Sequence, residues 1–240
     1  MQTTELLDRR VPVPRALGRV VVTGGGSGLG RAVVEAVRAA GGAAVSLDLR
    51  AGDEPGDMAV DVADRAAVES AVAAIAARYG EITAVVTSAG VDACGRFGDV
   101  AADAWERVIG VNLIGTASIV RAALPHLERN RGHVVTVAST LGIKAVSDAT
   151  AYCASKFGVV GFSRALAVEL KDRVKVTCLI PGGMHTNFFE GRTEQYKPPA
   201  DARLNDPRHV ADAVVYALSQ PPECEIREMV VCPSAESSWP

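Results

Sequence analysis

Basic clusters are missing from this chain: its 25 lysines and arginines are scattered among 28 aspartates and glutamates, leaving a net charge of -3. A protein that grips nucleic acid must neutralise many phosphates with a concentrated cationic face, so that class of partner is excluded. Cysteine is scarce and poorly spaced. Cys94, Cys153, Cys178, Cys224 and Cys232 form no CxxC pair and no zinc spacing with the four histidines, which makes reduced thiols in a cytoplasmic protein, and no metal, the expectation. No run beyond the opening segment reaches the roughly 18 apolar residues of a membrane span. The opening segment puts Glu5, Asp8, Arg9 and Arg10 where a secretory signal needs apolar side chains, so export and membrane insertion are both disfavoured. Internal repeats, Pro- or Ser-rich linkers and composition breaks are also lacking, and 240 residues lie within reach of one α/β domain.

What the chain does contain is apolar residue, 48% against 22% charged, laid out in alternating runs. Residues 19–23 (RVVVT) form a β-branched run that ends in glycines, and Leu29, Ala32, Val33, Ala36 and Val37 follow at near-helical spacing. The cycle repeats with strand candidates at 43–47, 58–60 and 82–87 and an Ala-rich helix at 65–79. Beyond them come a long helical stretch over 105–127, strands at 133–138 and 174–180 on either side of a helix at 152–170, a helical pattern at 210–218 and a last strand at 228–232. This alternation predicts right-handed βαβ units in a single doubly wound Rossmann-type α/β domain. Its sheet should be mostly parallel, of about seven strands, with helices on both faces. Residues 185–206, with Pro198 and Pro199, lack periodicity and read as a substrate loop, and residues 233–240 read as a short polar tail.

Between the first strand and first helix lies Thr23-Gly24-Gly25-Gly26-Ser27-Gly28-Leu29-Gly30. Backbone N–H groups there, together with the positive end of the helix dipole, can hold a pyrophosphate, and glycines let the backbone approach it closely. The spacing is GxxxGxG rather than GxGxxG, so the position between strand and helix carries the reading. Asp48 ends the second strand, twenty positions beyond Gly28, where a carboxylate can accept from adenosine ribose hydroxyls and repel a 2′-phosphate. NAD is therefore preferred as cofactor; Arg50, two residues on, keeps NADP open.

Tyr152 and Lys156 stand one helical turn apart at the start of a helix, so phenol and ammonium can serve one site. A free tyrosine is a poor base at neutral pH, and an adjacent cation should draw its pKa down. Ser139 ends the preceding strand, beside the crevice where open α/β sheets bind ligands. With TGGGSGLG, Asp61-Val62, Ser88-Ala89-Gly90, Asn112, Ser139, Tyr152-x-x-x-Lys156 and Pro181-Gly182-x-x-x-Thr186 in this order, the chain resembles the short-chain dehydrogenase/reductase family over residues 19–186.

That resemblance implies an oxidoreductase that passes a hydride between NAD(P) and a small-molecule alcohol or carbonyl. Tyr152 would exchange the substrate proton, Lys156 would lower its pKa and bind the nicotinamide ribose, and Ser139 would orient the carbonyl. Asn112 would hold a water linking Lys156 to solvent. Pro181, Gly182 and Thr186 would seat the nicotinamide, Asp61 and Val62 would approach the adenine, and a homodimer or homotetramer is implied. Taken singly, Asn112 could equally kink or cap a helix, Ser139 and Pro181-Gly182 form turns, and Thr186 cap a helix. The sequence departs from the family in two places. Ser88 stands where asparagine is common, so the amide's hydrogen bonds need a replacement, and Val231-Cys232-Pro233 leads to an unfamiliar tail. Two other functions stay open: an NADP-dependent ketoreductase of an acyl or polyketide intermediate, and a dinucleotide sensor without chemistry. Phe188 and Phe189 could line the substrate pocket or anchor the loop; Cys153 reads as a packing residue and His185 as structural or solvent-facing.

Overall fold

The computed structural model describes residues 15–52, 54–236 and 238; the charged opening segment with Glu5 to Arg10 lies outside them. Seven strands form one sheet: β1 (Arg19–Thr23), β2 (Ala43–Asp48), β3 (Met58–Ala59), β4 (Ala84–Thr87), β5 (His133–Val137), β6 (Lys175–Pro181) and β7 (Glu228–Val231). All pairings are parallel, in the order β3-β2-β1-β4-β5-β6-β7. The order reverses direction between β1 and β4, and strand ends there open the crevice that doubly wound sheets use for ligands.

Parallel strands covered on both faces must be apolar throughout, and β1, β4 and β5 are buried along nearly their whole length. Period-two alternation splits the core. Val21, Val45, Val85 and Val134 pack under α2 (Arg65–Tyr79), α4 (Thr116–Arg129) and α5 (Thr150–Glu169), whereas Val20, Val22, Val86 and Val135 pack under α1 (Gly28–Ala39) and α6 (Pro207–Leu218). Helix starts follow local chemistry: Asp64 accepts from the N–H groups of Ala66 and Ala67 at 2.9 and 3.1 Å, and Asp206 with Pro207 opens α6.

The long helical stretch extends over Ala102–Arg129: α3 (Ala102–Ile109), a π-helical turn (Gly110–Gly115) and α4. By length and composition it could cross a membrane, yet half of its most apolar window is buried, as in a core helix. Residues 185–206 are not featureless. Short 3₁₀ turns at Asn187–Phe189 and Glu194–Tyr196 fold them, and a bridge from Met184 to Asn205 closes their base.

Candidate active site

A cavity of about 860 Å³ opens at the carboxyl ends of β1, β4, β5 and β6. Its floor at one end is the glycine loop. A Cβ on Gly30 would sit 2.1 Å from the carbonyl oxygen of Gly24, so only glycine lets α1 start this close to the strand exit. Ser27 makes no side-chain capping bond and the first turn of α1 has no acid, which leaves its N–H groups and dipole available to an anion. Asp48 accepts from Gly26 N–H at 3.0 Å and is held beside the loop, while Arg50 is exposed. Asp61 accepts from Ala63 N–H (2.9 Å) and from Arg107 (2.8 Å). Val62 fills the space that Gly115 leaves, and both Asp61 and Val62 line the cavity. Gly24, Ser27, Gly28, Leu29 and Gly30 thus share one crevice with Asp48, whereas Thr23 lies buried behind the loop and does not line it, and the residues present fit a dinucleotide.

The backbone that follows Ser88 is held by Thr23 and Asn112. Ala89 N–H donates to the Thr23 hydroxyl at 3.2 Å, and Val91 exchanges two bonds with the Asn112 amide, N–H to Oδ1 at 2.8 Å and Nδ2 to O at 2.9 Å. Asn112 also donates to the buried Ser155 hydroxyl at 3.0 Å. The π-helical turn aims this fully buried side chain, and such turns often occur where a helix must present a functional group. Gly90 lies against both Asn112 and the Lys156 ammonium.

Ser139, two residues past β5, accepts from Leu141 N–H at 3.1 Å and shares a side-chain hydrogen bond with Tyr152 from the first turn of α5. One turn on, Lys156 donates to the Val137 carbonyl at 2.8 Å, its Nζ 5.6 Å from the centre of the Tyr152 ring. All three side chains line the cavity. The net shift of the phenol runs opposite to the fall expected from the ammonium alone. Desolvation pushes Tyr152 up to about 12, with Asp92 adding to the rise, and it outweighs the Ser139 hydrogen bond that acts the other way. Although part of its surface faces the cavity, the surroundings are dense enough to penalise a phenolate. Lys156 is itself pushed down to about 8 by burial.

From β6 the chain crosses to the glycine loop. Gly182 N–H donates to Val231 O at 3.0 Å, and Thr186 comes to rest 3.4 Å from where a Cβ on Gly28 would lie. Thr186 also caps the turn Asn187–Phe189 by accepting from Phe188 N–H at 3.3 Å. Phe188 and Phe189 line the cavity, and Phe188 tilts on Tyr152 with ring centres 5.6 Å apart. His185 lines two outer clefts instead, and Cys153 is buried.

Several cavity residues carry no local signal in the sequence. Asp92, Cys94, Arg192 and Tyr196 line the end towards Phe188. Desolvation and Asp92 hold the Cys94 thiol protonated, up to about 12. The tail folds inward: Glu236 accepts from Gly183 N–H at 3.0 Å, and Ser238 bonds both Glu236 and Thr140 at 2.6 Å.

Comparison with known proteins places these features in a family. A family model described as short chain dehydrogenase matches residues 18–197. An uncharacterized oxidoreductase of Staphylococcus aureus (strain MW2) is 34% identical over 227 residues, covering 89% of this chain and 96% of its own. L-fucose dehydrogenase of Mus musculus is 30% identical, covering 95% of this chain and 92% of its own. Among solved structures, an alcohol dehydrogenase of the archaeon Thermococcus sibiricus, complexed with 5-hydroxy-NADP, superposes with a TM-score of 0.80 at 23% identity, covering 91% of this chain and 97% of its own. That last likeness is one of fold.

Proposed function

Because the chain belongs to the short-chain dehydrogenase family and is an oxidoreductase acting on CH–OH groups, we propose that one domain binds NAD and exchanges a hydride with a secondary alcohol or ketone, Tyr152 moving the proton. The observation that carries this reading is the meeting of Tyr152, Ser139 and Lys156 in the cavity whose other end is the glycine loop. The dinucleotide, when bound, supplies or takes the hydride at its nicotinamide ring.

The loop from Thr23 to Gly30, between β1 and α1, holds the pyrophosphate. Asp48 takes the adenosine ribose hydroxyls and disfavours a 2′-phosphate, while Asp61 and Val62 flank the adenine. Ser88, Ala89 and Gly90 line the middle of the crevice, and Pro181, Gly182 and Thr186 seat the nicotinamide end. Ser139 donates to the substrate oxygen and so steadies developing charge. Tyr152 gives the proton in reduction and takes it in oxidation. Lys156 contributes positive charge and binds the nicotinamide ribose, and Asn112 keeps the neighbouring backbone in place and links Lys156 towards solvent. NADP enters as the second reading on one observation: Arg50 is exposed just beyond Asp48.

Phe157 and Val168 are exposed along one face of α5, at 45% and 73%, and this stripe supports a homodimer or homotetramer built on that helix. The unpaired cysteines suit the cytoplasm as working compartment.

The test is Tyr152→Phe. Removing a positioned acid–base group costs about 10²–10⁴ in turnover, and titration with NADH should show dinucleotide affinity retained. Undiminished turnover of a panel alcohol by this variant would remove Tyr152 from the mechanism.

A further inference from the structure

Two loops that meet at the cavity carry residues 100 positions apart in the chain. Asp92 follows the segment that Asn112 clamps, and Arg192 lies in the loop after β6. Their side chains pair at 2.5 Å and are only 7% and 17% exposed. Asp92 also accepts from Ala93 N–H at 2.7 Å and from the Cys94 thiol at 3.1 Å, so its carboxylate is fixed from its own side.

The guanidinium is fixed from the other. Its carbon lies 5.2 Å from the ring centre of Phe188 and 4.7 Å from that of Phe189, and it donates to the Tyr196 carbonyl at 3.2 Å. Tyr196 in turn donates to Asp148, just before the start of α5, at 3.2 Å. Phe188 lies against the Tyr152 ring. A planar guanidinium can pair with a carboxylate in its plane while packing against aromatic rings, a combination that a compact ammonium matches poorly. A buried pair that loses one member leaves an uncompensated charge, so neutralising either side should unseat the loop rather than merely soften it.

We infer that Asp92 and Arg192 are positioning residues: their ion pair latches the loop of residues 187–197 across the cavity and sets Phe188 against Tyr152 as the substrate-side wall. This rests on the reading of Tyr152 as the proton-transfer group. The latch acts on substrate capture and alignment, not on the dinucleotide end, which is held by the glycine loop.

Amide hydrogen exchange on the full chain with NADH bound reads the latch without needing turnover. In Asp92→Asn, exchange across residues 187–197 should speed up at least about tenfold while β1, β4 and β5 stay protected. With the best alcohol of a panel, KM should rise about tenfold with kcat changed less, and the double variant Asp92→Asn/Arg192→Met should be no worse than either single one. Arg192→Lys, which keeps the charge and loses the stacking, should recover part of the protection; it carries the test if Asp92→Asn does not fold. Unchanged loop exchange in these variants, or additive kinetic losses, would overturn the latch. The two readings separate cleanly, because Tyr152→Phe should lose turnover with the loop still protected, and a turning-over Tyr152→Phe would leave the exchange result standing.

Discussion

Tyr152 is surrounded so closely that its phenol is held protonated at neutral pH, which suits it to give a proton to a substrate oxygen. Lys156, pushed down to about 8 but still cationic at pH 7, puts its charge within one helical turn of that hydroxyl. In the proposed reaction, a neutral acid beside a partly desolvated cation would concentrate field where oxygen charge changes. In the proposed function, the choice between dinucleotides at the other end of the crevice falls to one carboxylate, Asp48. Hydrogen bonds to a charged acceptor contribute about 1.5–3 kcal/mol, so Asp48→Ala should weaken NAD binding about tenfold or more while NADP binding holds or improves. Fluorescence titration with both reduced dinucleotides measures it; an unchanged NAD preference would show that Asp48 does not touch the ribose. These residues were legible in the sequence because each stands at a strand end or helix start that local composition marks. Arg192 and Asp92 were not, since partners 100 positions apart leave no periodic trace, nor was the reversed pKa of Tyr152, which depends on packing that no spacing rule reports.

Elements were legible where composition forces them. β1 and β4 are β-branched runs between glycines and helices, and their ends agree with the sequence within two residues. The π-helical turn around Asn112 and the inward fold of the tail through Glu236 and Ser238 have no such signature; both are tertiary outcomes. β5 shows what an element can hide. Its first residue, His133, is buried with Nε2 bonded to Thr177 Oγ1 at 2.8 Å. Desolvation, then the charges of Lys175 and Arg15, push the imidazole down to about 3. Unfolded, it titrates near 6.5. Between those values the unfolded chain binds more protons, so stability contributed by the neutral ring is complete above pH 6.5 and is lost as pH falls towards 3, by up to a few kcal/mol. His133→Asn should therefore flatten the fall in urea midpoint between pH 6.5 and 4, whatever its stability at pH 7. An identical slope in wild type and variant would place the acid sensitivity elsewhere.

At the scale of the molecule, one parallel sheet brings five separate segments to a single crevice: the loop after β1, the ends of β2 and β4, the turn after β5 into α5, and the crossing from β6. The strand order alone requires this convergence, because the chain changes direction between β1 and β4. That is why the general location of the site could be read from alternating runs, whereas the shape of its substrate end, made by residues 187–197 and the tail, could not. A dinucleotide laid across this crevice should deliver its reactive ring to Ser139 and Tyr152. A crystal structure with NADH bound measures that directly. It should show the adenosine ribose on Asp48, the pyrophosphate at the start of α1, and nicotinamide C4 facing the two hydroxyls; a ring lodged away from Tyr152, with the ribose clear of Asp48, would contradict it.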